Sequence, residues 1–117
     1  MVCVNELLNN IIVDAISIDI PVSRKIVNTI YIDEERYDRV AACYKYKFPE
    51  RYEIHLSPDT LRANKNEIKN IIAHEVVHTC YASMPHDGVW ELYRREMNLR
   101  LGYNIQVEYS WNEILDE

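Results

Sequence analysis

Two histidines and a glutamate within five consecutive residues are the first side chains in this sequence that could carry out chemistry. His74, Glu75 and His78 form an HExxH pattern. On a helix, residues four apart lie one turn above each other, so both imidazoles can bind one ion while Glu75 flanks it. Neutral imidazole is a preferred ligand of zinc, and a catalytic zinc site has three protein ligands and an open position for water. The pattern therefore predicts a zinc site.

The third protein ligand must come from outside this pattern. His86 follows His78 by eight residues and lies at the expected entrance of a further helix, where the chain can reverse towards the pair. Glu91 and Glu96 are alternatives, because other HExxH enzymes take a glutamate from a following helix. The preference of zinc for imidazole and the position at the chain reversal favour His86.

The stretch from residue 71 to residue 90, IIAHEVVHTCYASMPHDGVW, resembles the SprT-like zinc metallopeptidase domain. Members of that family follow HExxH with a short cysteine-containing loop, a third-ligand histidine and an aromatic residue four positions later. The resemblance implies that Glu75 is catalytic and that Trp90 packs behind the site. It also implies the zinc ligands His74, His78 and His86.

The resemblance extends more weakly over most of the chain and has two departures. Residues 102–105 are similar to the closing GYxI segment of the family, whereas Asp87 stands where the family commonly has glycine. Many relatives append a zinc ribbon with paired cysteines, which we do not expect here. The resemblance implies a small zincin-like α+β domain. Its elements would be an N-terminal helix, a small sheet, the HExxH helix and a third helix, in that order.

A hydrolase activity follows from the resemblance and from the residues together. The expected protein is a metalloprotease that holds one zinc ion per chain and cleaves peptide or protein substrates. Zinc lowers the pKa of its bound water to about 7, Glu75 accepts the proton, and the hydroxide attacks the peptide carbonyl. The group that stabilises the resulting oxyanion stays open, with Tyr81, Tyr103 and His55 as candidates.

Two other functions compete with the peptidase. A non-hydrolytic zinc domain that mediates protein interactions would have a closed fourth coordination position, for instance with Glu91 or Glu96 binding beside His86. A DNA-associated protein-processing factor would need affinity for DNA. The net charge of −6 argues against strong nucleic-acid binding, because affinity for phosphate depends largely on Lys and Arg.

Length and composition bound the remaining possibilities. A chain of 117 residues with 48% hydrophobic and 27% charged residues predicts one folded domain, residues 1–117. No apolar run approaches the roughly 20 residues of a membrane span, and the N-terminus lacks the basic start of a signal peptide. We therefore expect a cytoplasmic protein without a membrane partner. The three cysteines include no CxxC pair and are expected to be reduced.

Periodicity supplies the elements that must position these residues. Apolar residues repeat at helical spacing over 5–19, a helix that Pro21 is expected to end. β-branched and aromatic residues predict strands at 27–33, 40–46 and 52–57, arranged as a small antiparallel sheet or hairpin.

Two more helices follow the strands. Asn66 is the expected cap of the HExxH helix, 67–82, and Asp87 that of the third helix. Gly102 is expected to end the third helix. Its buried face is predicted to consist of Trp90, Tyr93, Met97 and Leu101. Ser110 and Glu113 resemble a capping box for a short terminal turn.

Overall fold

The computed structural model describes residues 3–34, 39–80, 86 and 88–109. In chain order they form helix α1 (Val4–Ser17), strands β1 (Tyr31–Ile32), β2 (Ala41–Lys47) and β3 (Glu50–Leu56), a short 3₁₀ helix (Pro58–Arg62), and helices α2 (Lys65–Val77) and α3 (Gly88–Leu101). This is a small α+β domain, which confirms the predicted fold class. Within the described ranges, no helix is both long enough and apolar enough to span a bilayer.

The first predicted helix is confirmed as α1, but it ends before Pro21 can stop it. Asp19 adopts a left-handed conformation with φ of 62°, and the Ile20 N–H donates to the Ala15 carbonyl at 3.0 Å. This bonding pattern satisfies the last carbonyls of a helix and ends α1 at Ser17. The buried face of α1 consists of Leu7, Leu8, Ile11 and Ala15.

The sheet is mixed rather than wholly antiparallel, with the strand order β1-β3-β2. β2 and β3 form the predicted antiparallel hairpin, whereas β1 pairs with β3 in parallel. β1 is also shorter than the predicted strand 27–33. The Val27 N–H donates to the Tyr52 carbonyl at 2.9 Å, but the Ile30 N–H donates to the Asn5 side chain at 2.8 Å, which interrupts the ladder.

The HExxH helix, α2, begins and ends earlier than the sequence predicted. Asn64, not Asn66, is its cap, since the Asn64 side chain accepts a hydrogen bond from the Glu67 N–H at 2.8 Å. At the other end, the N–H groups of His78 and of the next two residues donate to carbonyls three residues earlier, which is the tighter 3₁₀ pattern. The α-helix therefore ends at Val77. The predicted remainder, residues 81 and 82, lies outside the described residues.

α2 is the central element of the domain. It packs against α1, β2, β3 and α3, and its apolar residues point to nearly every side, as expected of a helix enclosed by other elements. On α3, Trp90 and Met97 are fully buried, and Tyr93 and Leu101 pack against the core as predicted. Gly102 ends α3 with a φ of 74°. The expected caps Asp87 and Ser110 lie outside the described residues.

Candidate metal centre

The C-terminal end of α2 brings two of the predicted zinc ligands into the interior. His74 and His78 lie one turn apart and are only 5% and 8% exposed. His86 lies between α2 and α3 and is exposed. The structure therefore brings His86 to the other two histidines, as the sequence predicted.

The three imidazoles point their Nε2 atoms at one another. The His86 Nε2 lies 2.7 Å from the His78 Nε2 and 3.1 Å from the His74 Nε2. Two nitrogens bound to a tetrahedral zinc ion at about 2.0 Å are about 3.3 Å apart, so small ring movements would admit an ion. Among the described residues, these three form the one group whose ligand atoms, all within 4.8 Å of one another, could hold a metal.

A hydrogen bond behind His74 fixes the orientation of its ring. The Nδ1 of His74 lies 2.8 Å from the Gln106 carbonyl oxygen, which can only accept, so Nδ1 carries the proton. Its Nε2 then presents a lone pair to the other histidines, as a metal ligand must. Burial, with smaller contributions from nearby charges, lowers the pKa of His74 to about 3, which keeps the imidazole neutral.

The segment that follows α3 is held in place by side chains from two helices. Asn98 bonds both backbone groups of Ile105, at 2.9 Å to its N–H and 3.2 Å to its carbonyl, and Arg94 donates to the same carbonyl at 2.9 Å. From α2, Asn70 accepts from the Asn104 N–H at 2.9 Å. These bonds fix the backbone next to Gln106 and therefore the carbonyl that orients His74.

Trp90 closes the inner side of the site. Its ring is fully buried and lies 4.5 Å from the ring of His86, 4.8 Å from that of His74 and 5.4 Å from that of His78, measured between centroids. The Trp90 Nε1 donates to the His74 carbonyl at 3.4 Å. This aromatic packing limits the rotamers of all three imidazoles and lies where the family resemblance implied.

Glu75 is buried beside the histidines. It is 7% exposed, and its Oε2 lies 3.9 Å from the His74 Nε2. Removal from water disfavours the charged carboxylate and raises the pKa of Glu75 to about 8, although Arg39 opposes this shift. The carboxyl group is thus adjacent to the ligand atoms and can exchange a proton near neutral pH.

An open cleft gives access to these groups. A cavity of about 620 Å³ is bordered by His74, Glu75 and His86. A smaller cavity of about 250 Å³ touches all three histidines and the start of β2, at Ala41, Ala42 and Cys43. Arg39 borders both cavities. The site therefore lies in a groove between α2 and the sheet.

The other predicted site residues lie elsewhere. The carboxylate of Glu91 bonds to Arg94 and Arg95, and that of Glu96 lies 3.9 Å from Arg100, so neither joins the histidines. Tyr103 is buried and its hydroxyl donates to Asp14 at 2.7 Å. Tyr81 lies outside the described residues.

His55, a further candidate for stabilising the oxyanion, does not line the metal cleft. Its side chain is 14% exposed, with the rings of Tyr31 and Tyr44 at 4.9 and 4.7 Å. Its Nδ1 and Nε2 lie 2.7 Å from Asp33 and 3.0 Å from Glu53. Among the described residues, both ring nitrogens therefore face carboxylates on the sheet.

Sequence reasoning missed three contributors to the site. Gln106 acts through its backbone carbonyl, which carries no signature in the sequence. Tyr109 lies with its ring 5.6 Å from that of His74 and accepts from the Gln106 N–H at 3.1 Å. Arg39 is one of several arginines, and only the position of β2 shows that it borders the cleft. The net charge of the chain did not indicate any of these three residues.

Comparison with known proteins identifies no relative of this chain. No protein-family model matches the chain, and neither does any curated protein or solved structure. The likeness to SprT-like peptidases therefore consists of the motif and its spacing, and the function must be argued from the site.

Proposed function

We propose that this protein is a zinc-dependent metallopeptidase. The observation that carries the proposal is the convergence of the His74, His78 and His86 Nε2 atoms beside the buried carboxyl group of Glu75, in a cleft open to ligands. Three imidazole ligands suit zinc better than they suit magnesium or calcium, which prefer oxygen ligands. Three protein ligands leave a tetrahedral ion one position for water or substrate.

Glu75 has the position required for acid–base chemistry. A zinc ion in this site would polarise a carbonyl group and acidify water. Glu75, within about one water molecule of the ligand atoms, accepts the proton of the attacking water and returns it to the departing amine. Cys43 does not compete as a nucleophile, because burial raises the pKa of its thiol far above the usual range and keeps it protonated.

The edge of β2 opposite β3 favours a peptide substrate. Within the described residues, β2 pairs with β3 alone, and its first residues border the cleft that contains the histidines. An unpaired strand edge offers backbone donors and acceptors to any extended chain. A peptide lying along β2 would reach the cleft that contains the histidines, whereas a small compact substrate would make no backbone bonds to that edge.

Glu75→Gln provides the test of the peptidase. We expect the variant to fold and to bind zinc, since the amide is nearly isosteric with the buried carboxyl group, but to lose at least about a hundredfold in kcat/KM because it cannot accept a proton. Activity on casein and zinc content would be measured together. Glu96→Gln, on the exposed side of α3, is the matched control.

Two outcomes would contradict the proposal. Equal cleavage by the wild type and Glu75→Gln would show that the activity does not come from this site. A wild-type protein that holds stoichiometric zinc and cleaves no unstructured protein would favour the alternative, a zinc domain that acts through protein interactions.

A further inference from the structure

Peptide hydrolysis at this site would be accelerated by a hydrogen-bond donor at the scissile carbonyl oxygen, in addition to the polarisation that a zinc ion would supply. When the water oxygen bonds to the carbonyl carbon, the π electron pair of the C=O bond moves to the carbonyl oxygen, and Glu75 takes the proton of the water. Hydrogen-bond donors aimed at that oxygen are commonly among the largest contributors to catalysis. Of the three candidates for this role, Tyr103 and His55 bond to carboxylates elsewhere, and Tyr81 lies outside the described residues.

Arg39 borders the cleft from the side opposite α2. It lines both the cavity of about 620 Å³ and that of about 250 Å³, together with His74, Glu75 and His86. Its electrostatic effect on the Glu75 carboxyl group is favourable to the ionised form. Arg39 therefore shares both cavities with the groups that would react.

The backbone of Arg39 is fixed while its side chain is exposed. The Ser57 hydroxyl donates to the Arg39 carbonyl, and the next carbonyl, that of Val40, accepts from the Ser57 N–H at 3.2 Å and the Thr60 hydroxyl at 2.7 Å. Val40 is buried. The side chain thus projects from a rigid point just before β2.

Among the described residues, the charge of Arg39 has no ion-pair partner. Among the described residues that line the two cavities, it alone carries a permanent positive charge. No ion pair of the Arg39 guanidinium is found with any residue that the structure describes. By contrast, Arg51, Arg94 and Arg95 are each bonded to a glutamate. An unpaired guanidinium at a cleft has its donors available for a substrate oxygen.

We propose that Arg39 is a further catalytic residue, which donates hydrogen bonds to the scissile carbonyl oxygen as that oxygen gains negative charge. The proposal rests on the peptidase function argued above. Because a guanidinium stays charged throughout the reaction, it stabilises the oxyanion more than the neutral carbonyl. Arg39 therefore contributes mainly to kcat and not to the binding of zinc.

Arg39→Met tests this role, because methionine removes the charge and the donors but retains an unbranched side chain. We expect kcat on an unstructured peptide to fall by about 10²- to 10³-fold, with KM and zinc content nearly unchanged. Arg39→Lys should recover part of kcat, since it restores the charge without the planar donors. The control is Arg62→Met, an exposed arginine on the 3₁₀ helix.

A binding measurement separates this proposal from the peptidase function. A phosphinic peptide, whose tetrahedral phosphorus stands in for the attacked carbonyl carbon, should bind zinc-loaded Arg39→Met at least about tenfold more weakly than the wild type in calorimetry. If the wild type cleaves peptides and Arg39→Met matches it in kcat, the role of Arg39 is wrong and the peptidase stands. If the wild type cleaves nothing, the peptidase fails, and unchanged phosphinic peptide binding would then overturn the role of Arg39 as well.

Discussion

Two groups of histidines in this domain differ in what their ring nitrogens face. At the end of α2, the Nε2 atoms of His74, His78 and His86 face one another. On the sheet, both nitrogens of His55 face carboxylates, at 2.7 Å from Asp33 and 3.0 Å from Glu53. The first arrangement brings three ring nitrogens together at one point, whereas the second places each ring nitrogen beside a carboxylate.

The contrast shows that burial and aromatic neighbours do not identify a metal site. His74, His78 and His55 are all largely shielded from water, and both groups pack against aromatic rings, Trp90 in one case and Tyr31 and Tyr44 in the other. The difference is the partner of each nitrogen. His74 gives its Nδ1 proton to a backbone carbonyl and keeps Nε2 for an ion, while His55 has no nitrogen left.

The largest expected effect that would test this comparison is the loss of metal in His86→Ala. We expect its zinc affinity to fall by more than about a hundredfold, since each ligand of a zinc site contributes several of the roughly 10 to 16 kcal/mol of binding free energy. Competition against a chromophoric chelator would measure it, with His55→Gln as the control that retains wild-type affinity. Stoichiometric zinc in dialysed His86→Ala would remove His86 as a ligand.

A smaller loss of affinity is expected from Asn98→Ala, which touches no ligand. Without the two bonds from Asn98 to Ile105, the Gln106 carbonyl is less firmly held against His74, and the zinc affinity should fall by about tenfold. The same chelator competition applies. Leu99→Ala, an exposed neighbour on α3, is the matched control. Equal affinities in the two variants would show that the backbone clamp does not act on the metal site.

The smallest expected effect is a loss of stability when the histidine on the sheet is replaced. His55→Gln should leave zinc binding intact but destabilise the metal-free fold by about 1 to 3 kcal/mol, because Asp33 and Glu53 lose the ring that lies between them. Urea unfolding in the presence of a chelator would measure this, and His86→Ala, being exposed, should change the unfolding free energy by less than about 0.5 kcal/mol. If His55→Gln lost zinc affinity, the distinction between a metal-binding and a structural group of histidines would be wrong.

The sequence predicted those parts of the site that local spacing determines. HExxH sets two imidazoles on one helix face at any position in a fold, and the chain reversal before α3 made His86 the best third ligand. Gln106 and Arg39 could not be found in this way. Gln106 depends on three hydrogen-bonding side chains from α2 and α3, and Arg39 depends on where β2 packs.

The same distinction explains the errors in the elements. The number and order of helices and strands followed from periodicity, which is a local property. The cap of α2 was placed on Asn66 because Asn64 and Asn66 are both good caps, and only the extended backbone after the 3₁₀ helix selects Asn64. β1 was predicted too long because Asn5, 25 residues away, takes the Ile30 N–H.

The edge of β2 that does not pair with β3 affects how the protein behaves at high concentration. An edge that can receive a substrate strand can also receive another copy of itself, which is a route to aggregation. Lys45 and Lys47 occupy the half of β2 next to the turn, so two copies paired in parallel and in register along this edge would bring like charges together. The half next to the histidines, Ala41 to Cys43, carries no charge. The strand thus repels its own copies at one end and stays neutral at the end where a substrate would lie.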